Sequence, residues 1–206
     1  MEDKFSSEFM EQVNNLVGYI QNYSGIIESQ ADKIDQIFDS IENASSIHLG
    51  GKGRSGSVAV SLALRLSHFG YKTYFLGDVI KEPFTKGDVL ILFSGSGDTF
   101  EVVELAKKGK SVGAKVISIT SFSDSSIAKN SDIAFILPGG LEKGKGWSYV
   151  EAQLSHKNSS FYGGGEFELN AYFFQEALVS AIGKYKNISG GTIVKKHEKD
   201  ETFKSA

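Results

Sequence analysis

The chain has 206 residues, a formal net charge of -3 and 40% hydrophobic residues, which is typical of a globular protein with one α/β domain. The absence of cysteine excludes disulfides, thiol catalysis and cysteine-ligated metals. Because the basic residues are scattered and the net charge is negative, we expect no nucleic-acid partner. The amino terminus lacks the features of a signal peptide, and no apolar run reaches the roughly 20 residues of a membrane span. We therefore expect a cytoplasmic protein without membrane contact.

The periodicity of the apolar residues predicts the elements in chain order. Helical spacing covers Ser6 to Ala44, with a break expected at Tyr23-Ser24-Gly25. Five strands are then predicted, at Ser46–Leu49, Lys72–Leu76, Asp88–Phe93, Lys115–Thr120 and Asp132–Leu137. Helices are predicted among and after them, at Gly56–His68, Thr99–Val112, Ser125–Lys129 and Glu166–Tyr185. This alternation predicts an α/β fold with a doubly wound five-stranded parallel sheet, in the flavodoxin-like order 2-1-3-4-5 and flanked by helices.

We predict that residues 1–206 form a single domain with three parts. Residues 1–44 form helices for oligomerisation, residues 45–189 form the α/β core, and residues 190–206 form a polar tail. The helices of residues 1–44 carry more apolar surface than one sheet edge can cover, which predicts a homo-oligomer, with a tetramer favoured. The segment from Pro138 to Gly165 is rich in Gly, Ser and Lys, and we expect local structure or a functional flap there.

Three turns that are rich in small polar residues follow predicted strands. The first runs from Gly51 to Gly56, the second from Ser94 to Thr99, and the third begins at Thr120 and Ser121. Free backbone N–H groups and hydroxyls at a helix start bind anions, usually phosphate. Since ligands of such sheets bind at the carboxyl ends of the strands, we expect the three turns to converge on one phosphorylated ligand. For any single turn, helix N-capping explains the same residues.

The first turn also matches the dinucleotide-binding fingerprint, as Gly51-x-Gly53-x-x-Gly56. Asp78 lies about where the ribose-binding acid of that motif would stand. Arg54 and Ser55 within the turn instead suit direct contact with a small phosphate or sugar. A nicotinamide-dependent function therefore stays open as an alternative.

Between Ile47 and Asp132 the chain resembles the sugar isomerase (SIS) domain, and most closely the 6-phospho-3-hexuloisomerases. The resemblance lies in four runs: Gly51–Gly56, Leu64–Gly70, Ser94–Thr99, and Ile119–Ser121 leading to Ser126–Ala128. Two further family motifs are present in altered form. The family motif Pro-x-Gly-Thr-x-Phe-Glu corresponds to the run from Tyr162 to Glu168, which keeps only the Phe-Glu pair. The family motif His-Ala-Asn-Leu-Glu corresponds to the run from His197 to Glu201, which keeps only the first and last residues.

The resemblance implies a cytosolic isomerase that interconverts 3-hexulose 6-phosphate and fructose 6-phosphate, a step of the ribulose monophosphate pathway. It implies an enediol(ate) intermediate, no metal or other cofactor, and tetramers whose active sites are shared between subunits. Two alternatives stay open. One is isomerase or aminotransfer chemistry on another sugar phosphate of the same superfamily, and the other is a non-catalytic sugar-phosphate sensor.

The candidate binding residues carry side-chain hydroxyl groups or, in the case of Arg54, a positive charge. We assign the phosphate to Ser94, Ser96 and Thr99, with backbone N–H groups at the following helix start. Arg54 can pair with the phosphate or polarise the sugar carbonyl, because a guanidinium suits both. The further candidates are Ser55, Thr120 and Ser121.

The candidate general base is Glu168, because it matches the family glutamate. Glu166 competes with it, and the helix dipole alone would favour an acid at either position. His197 resembles the family's carboxy-terminal histidine, which implies a role in ring opening or proton transfer across a subunit boundary. We expect His48 to be a core residue, and His68 to be structural or interfacial.

Overall fold

The computed structural model describes residues 4–21, 23–79, 81–140 and 165–191, and it contains one five-stranded parallel sheet. The strands are β1 (Ile47–Gly51), β2 (Thr73–Phe75), β3 (Val89–Phe93), β4 (Lys115–Thr120) and β5 (Ile133–Ile136). Their order is β2-β1-β3-β4-β5, which confirms the predicted 2-1-3-4-5 arrangement. The helices are α1 (Phe5–Gln21), α2 (Tyr23–Glu28), α3 (Ala31–Glu42), α4 (Gly53–His68), α5 (Phe100–Val112), α6 (Ser126–Lys129) and α7 (Glu166–Tyr185).

The central strands are buried on both faces because helices cover each side of the sheet. Successive side chains of a strand point to opposite faces, so Ile91 of β3 joins one apolar cluster and Leu92 joins the other. The first cluster includes residues of α3, α4 and α7, and the second includes residues of α5. This two-sided burial explains why β3 is a continuous apolar run in the sequence.

The amino-terminal helices differ from their prediction. The helical stretch is divided close to the expected position, because α1 ends at Gln21 and α2 begins at Tyr23. A second division, the turn at Ser29 and Gln30 just before α3, was not predicted. The side chain of Gln30 is buried against the sheet, a tertiary contact that helical periodicity does not reveal.

Side chains of the α3 region cover the outer edge of β5. Gln30 donates from Nε2 to the carbonyl of Ile136 at 2.8 Å and accepts the Ile136 N–H at 2.9 Å. Lys33 Nζ donates to the carbonyl of Ala134 at 2.9 Å. The Gln30 amide thus takes the place of a further strand, and these backbone groups of the edge are bonded within the molecule.

We expect Gln30→Leu to lower the free energy of unfolding by about 1–3 kcal/mol, because it leaves both backbone groups of Ile136 without the partner that Gln30 provides. Gln36→Leu is the matched control, since Gln36 is exposed on α3. Urea denaturation of both variants measures the difference. Equal stability of the two variants would show that the Gln30 amide adds nothing to the edge.

A polar cluster lies near the amino ends of β1 and β3, opposite the carboxyl ends of the strands. His48 is fully buried, as expected for a core residue, with Nε2 2.9 Å from Ser46 Oγ and its ring stacked on Tyr74. Ser46 donates to Asp88 Oδ1 at 2.7 Å. Burial lowers the pKa of His48, although the Asp88 carboxylate opposes this shift.

The lowered pKa of His48 predicts an acid-sensitive fold. The folded chain keeps this imidazole neutral, whereas an unfolded histidine takes up a proton near pH 6.5. Stability from His48 is therefore present at pH 7 and lost as the pH falls from 7 to 5, by at most about 1.4 kcal/mol per pH unit. Urea denaturation across this range should give a smaller pH slope for His48→Gln than for the unchanged chain. Parallel slopes would contradict the prediction.

Candidate active site

A cleft of about 280 Å³ opens at the carboxyl ends of β1 and β3. Its walls are the start of α4, the turn after β3, the glycine pair Gly139-Gly140, and the start of α7. In the order 2-1-3-4-5, β1 and β3 flank the switch point of the sheet, where ligands of this fold class bind. The cleft is therefore where the topology predicts a ligand site.

The turn after β3 brings hydroxyls and a helix start into this cleft. Ser94 and Ser96 are buried, and Ser94 Oγ donates to Thr99 Oγ1 at 3.3 Å. Gly97 adopts a φ of 70°, which favours glycine and lets the chain reverse before α5 begins. Thr99 is the N-cap residue of α5, and a helix N-terminus presents backbone N–H groups to its surroundings. Three hydroxyls and a helix N-terminus at one point are suited to a phosphate.

Glu168 lies in the same cleft and contacts the start of α4. Ser55 Oγ donates to Glu168 Oε1 at 2.9 Å, and Arg54 Nε lies 3.6 Å from Oε2. The Glu168 side chain is only 16% exposed. A hydroxyl and a guanidinium thus orient this carboxylate, which lines the space that a ligand would fill. A carboxylate in this position can act as a general base.

Glu166 has different surroundings, although it is only two residues away. Its Oε1 accepts a hydrogen bond from Tyr19 of α1 at 2.7 Å. Its Cβ lies 2.6 Å from the place that a Cβ on Gly139 would occupy, so it packs against this glycine. Glu166 does not line the cleft. The geometry therefore separates the two competing acids.

The third hydroxyl turn does not reach the cleft. Thr120 is fully buried, with Oγ1 2.8 Å from the place of a Cβ on Gly97. Ser121 Oγ accepts the N–H of Gly140 at 2.7 Å, so it holds the cleft wall from behind. Neither Thr120 nor Ser121 lines the cleft, whereas the first two turns do, and direct ligand contact by the third turn stays a prediction.

Among the described residues, neither His48 nor His68 lines the cleft. His197 lies outside the described residues. His68 is buried at the far end of α4, distant from the start of that helix at the cleft. The part of the Pro138–Gly165 segment that includes residues 141–164 also lies outside the described residues.

The cleft residues that were not assigned from the sequence include Lys52, Gly139, Gly140 and Phe167. Lys52 stands in the first glycine turn and forms an ion pair with Glu101 at 3.5 Å, so its charge lies beside the start of α5. Its position within the first glycine-rich turn is the sequence feature that could have identified Lys52 as a cleft residue. The two glycines follow β5, and only the fold brings them to α7.

The glycines of the dinucleotide fingerprint have a packing role here. A Cβ on Gly51 would lie 2.8 Å from the Ser55 carbonyl carbon, and one on Gly56 would lie 2.9 Å from the Gly51 carbonyl oxygen. Gly53 has a φ of 54° where α4 begins. The absence of side chains at these positions lets α4 approach β1 closely. This packing accounts for the glycines of the fingerprint without requiring a bound dinucleotide.

The fold and cleft define a doubly wound α/β domain in which a hydroxyl-rich turn and a carboxylate line one cleft. Residues 40–159 match the family model of the SIS domain, and the chain belongs to this family. It is 29% identical over 194 residues to a Bacillus subtilis protein named 3-hexulose-6-phosphate isomerase, covering 94% of this chain and 96% of that one.

Two solved structures are similar. The first is a hypothetical protein from Methanococcus jannaschii, whose structure is described as inferring a 3-hexulose-6-phosphate isomerase function. It has a TM-score of 0.69 and 29% identity, and the match covers 91% of this chain and 96% of that one. The second is the Vibrio vulnificus NanR protein complexed with ManNAc-6P, with a TM-score of 0.70 and 18% identity, covering 100% of this chain and 72% of that one. At this identity, the second structure shows a shared fold.

Within the described ranges, no helix is both long and apolar enough to cross a membrane. The same residues contain no group of three histidine or acidic side chains placed to hold a metal ion.

Proposed function

We propose that this protein is a sugar-phosphate isomerase that interconverts 3-hexulose 6-phosphate and fructose 6-phosphate. The observation that carries the proposal is that Glu168 and the Ser94–Thr99 turn line one cleft. The relative from Bacillus subtilis supports the choice of substrate. The same fold in complex with ManNAc-6P supports a phosphorylated sugar as the ligand class.

The proposed reaction moves one hydrogen between neighbouring carbons. Glu168 takes the proton from C2 of the 3-hexulose, and the electron pair forms an enediolate across C2 and C3. The carboxylic acid then returns a proton to C3, and the proton of the C2 hydroxyl passes to the oxygen on C3, which leaves the carbonyl at C2. Arg54, close to Glu168, would stabilise the negative charge on the enediolate oxygen. His197 stays a candidate for a second proton-transfer role.

The phosphate would bind at the other side of the cleft, against the Ser94–Thr99 turn. The hydroxyls of Ser94, Ser96 and Thr99 and the N-terminus of α5 would contact its oxygens. Lys52 adds a positive charge at the rim. Binding the remote phosphate in this way would fix the reacting carbons near Glu168.

The test is to incubate purified protein with 3-hexulose 6-phosphate and to measure fructose 6-phosphate formed. In deuterium oxide, the product should carry deuterium at the reprotonated carbon, since an enediolate route admits solvent hydrogen. A thermal-shift panel of sugar phosphates and NAD gives the discriminating control. Stabilisation by sugar phosphates without turnover would indicate a sensor, and stabilisation by NAD alone would indicate the nicotinamide alternative.

We also propose that the protein assembles as a homotetramer. The side chains of Phe5, Phe9, Met10 and Val17 on α1 are all at least half exposed, the least being Val17 at 50%. Apolar side chains clustered on one exposed helix favour an interface. Multi-angle light scattering at micromolar concentration is expected to give four times the chain mass of 22.4 kDa. A stable species of one chain mass would contradict the proposal.

A further inference from the structure

The amino-terminal helix α1 contacts the start of α7, directly beside the cleft. Tyr19 of α1 forms hydrogen bonds with both Glu166 and Asn170 of α7. We propose that Tyr19 and Asn170 position Glu168 and the Gly139-Gly140 wall for catalysis, an inference that rests on the proposed function. Tyr19 and Asn170 do not line the cleft themselves, so they are positioning residues.

Asn170 links three parts of the chain through one side-chain amide. It is fully buried, and its two amide hydrogens have separate acceptors. Nδ2 donates to Tyr19 Oη at 2.7 Å and to the carbonyl of Pro138 at 3.2 Å. The amide thus fixes α1, the turn after β5 and the first turns of α7 relative to one another.

Tyr19 continues this network to Glu166. Its hydroxyl accepts from Asn170 and donates to Glu166 Oε1 at 2.7 Å. Burial raises the pKa of Tyr19 to about 12, so the hydroxyl keeps its proton and remains a donor at neutral pH. Glu166 and Glu168 share the first turn of α7, and fixing one carboxylate therefore restricts the rotation of that turn.

The other branch of the network ends in the cleft wall. Pro138 is followed by Gly139 and Gly140, which pack without room for a side chain between α7 and the turn after β3. A Cβ on Gly139 would lie 2.5 Å from the Phe167 nitrogen. A shift of Pro138 would thus be passed on to the Ser94–Thr99 turn and to α7, because the two glycines are in close contact with both.

The first test compares Tyr19→Phe with Tyr23→Phe. Both remove one hydroxyl, but the Tyr23 hydroxyl donates to the backbone carbonyl of Asn170, at 2.7 Å, and not to the Glu166 carboxylate. We expect kcat of Tyr19→Phe to fall roughly tenfold with an almost unchanged KM, because small misplacements of a reacting group slow the chemical step. Tyr23→Phe should lose stability only. Equal kcat for both variants, measured where both are folded, would overturn the proposal.

The second test uses Glu166→Gln and Glu166→Ala. Glutamine keeps an oxygen that can accept the Tyr19 hydroxyl, whereas alanine removes the acceptor. A positioning role predicts that glutamine retains much more of kcat than alanine does. An equal loss in both variants would mean that the negative charge of Glu166 matters, and would overturn the proposed role.

A third measurement keeps this inference separate from the proposed reaction. The labelling reagent is glycidol phosphate, a phosphorylated epoxide that is expected to react with Glu168 in the cleft. A carboxylate oxygen of Glu168 would form an ester bond to an epoxide carbon, the ring C–O bond would break, and the alkoxide would take a proton from water. Mass spectrometry of the peptide that contains Glu168 gives the labelling rate, which should fall in Tyr19→Phe and not in Tyr23→Phe.

The labelling experiment distinguishes a failure of the proposed reaction from a failure of the proposed positioning role. If the unchanged protein is labelled at Glu168 but isomerises no 3-hexulose phosphate, the choice of substrate is wrong. The labelling rates of Tyr19→Phe and Tyr23→Phe then decide the positioning role, and equal rates would overturn it. If Glu168 is not labelled and no isomerisation occurs, both proposals are overturned.

Discussion

Replacing Glu168 by glutamine is expected to lower kcat by roughly 10²–10⁴, the usual cost of losing a general base. Glutamine keeps the shape of the side chain and can still accept a hydrogen bond from Ser55. It cannot take a proton from carbon, so turnover should collapse while binding of the sugar phosphate changes little. Steady-state kinetics with 3-hexulose 6-phosphate, and calorimetric binding of fructose 6-phosphate, measure the two effects separately.

The matched control is Glu166→Gln, which makes the same change two positions earlier on α7. Because Glu166 contacts Tyr19 and does not line the cleft, the fall in kcat should be far smaller for Glu166→Gln than for Glu168→Gln. If Glu168→Gln keeps near-normal turnover while Glu166→Gln loses it, Glu166 is the base. If both variants remain active, the base lies elsewhere, and His197 of a neighbouring subunit is the next candidate.

Replacing both Ser96 and Thr99 by alanine is expected to raise KM by roughly 100-fold or more. Each hydroxyl would donate to the charged phosphate, and hydrogen bonds to charged groups contribute about 1.5–3 kcal/mol each. The variant should stay folded, because Thr99 makes no side-chain capping bond to α5 and the bond that Ser96 accepts from the Asp98 N–H is long, at 3.3 Å. Kinetics and a thermal melt of the same preparation test both statements.

The control for this variant removes two hydroxyls outside the cleft. Ser123 and Ser126 are exposed in and after the turn that follows β4, and neither lines the cleft. The double alanine variant at these positions should bind sugar phosphates normally. If the Ser96 and Thr99 variant also binds them normally, the phosphate does not bind at the Ser94–Thr99 turn.

The sheet could be predicted from sequence because each of its strands has a local pattern. The run Val89–Phe93 is apolar throughout and is followed by a helix with its own apolar stripe, which indicates both the strand and its crossover. The start of α3 could not be predicted in this way. The chain turns at Gln30 because that side chain binds Ile136, more than 100 residues away, and no local pattern encodes this contact.

In the candidate site too, some features could be predicted from the sequence and others could not. Hydroxyls that belong to one turn, such as Ser94 and Thr99, are brought together by local geometry, and the sequence predicted them. Glu166 and Glu168 stand in the same helical turn with the same charge, so the sequence left them as competitors. They are distinguished by Tyr19 and Ser55, whose positions depend on how α1 and α4 pack.

The covered edge of β5 limits how this protein can associate with copies of itself. Adding a strand from another chain requires a row of open backbone N–H and C=O groups, and at β5 Gln30 and Lys33 already bind such groups. The opposite edge is β2, whose three residues, Thr73–Phe75, offer little length for pairing. Assembly and aggregation by sheet extension are therefore disfavoured at both margins. Within the part of the chain that the structure describes, a subunit contact is therefore expected through helix or loop surfaces, which would leave the hydrogen bonding of the sheet unaltered.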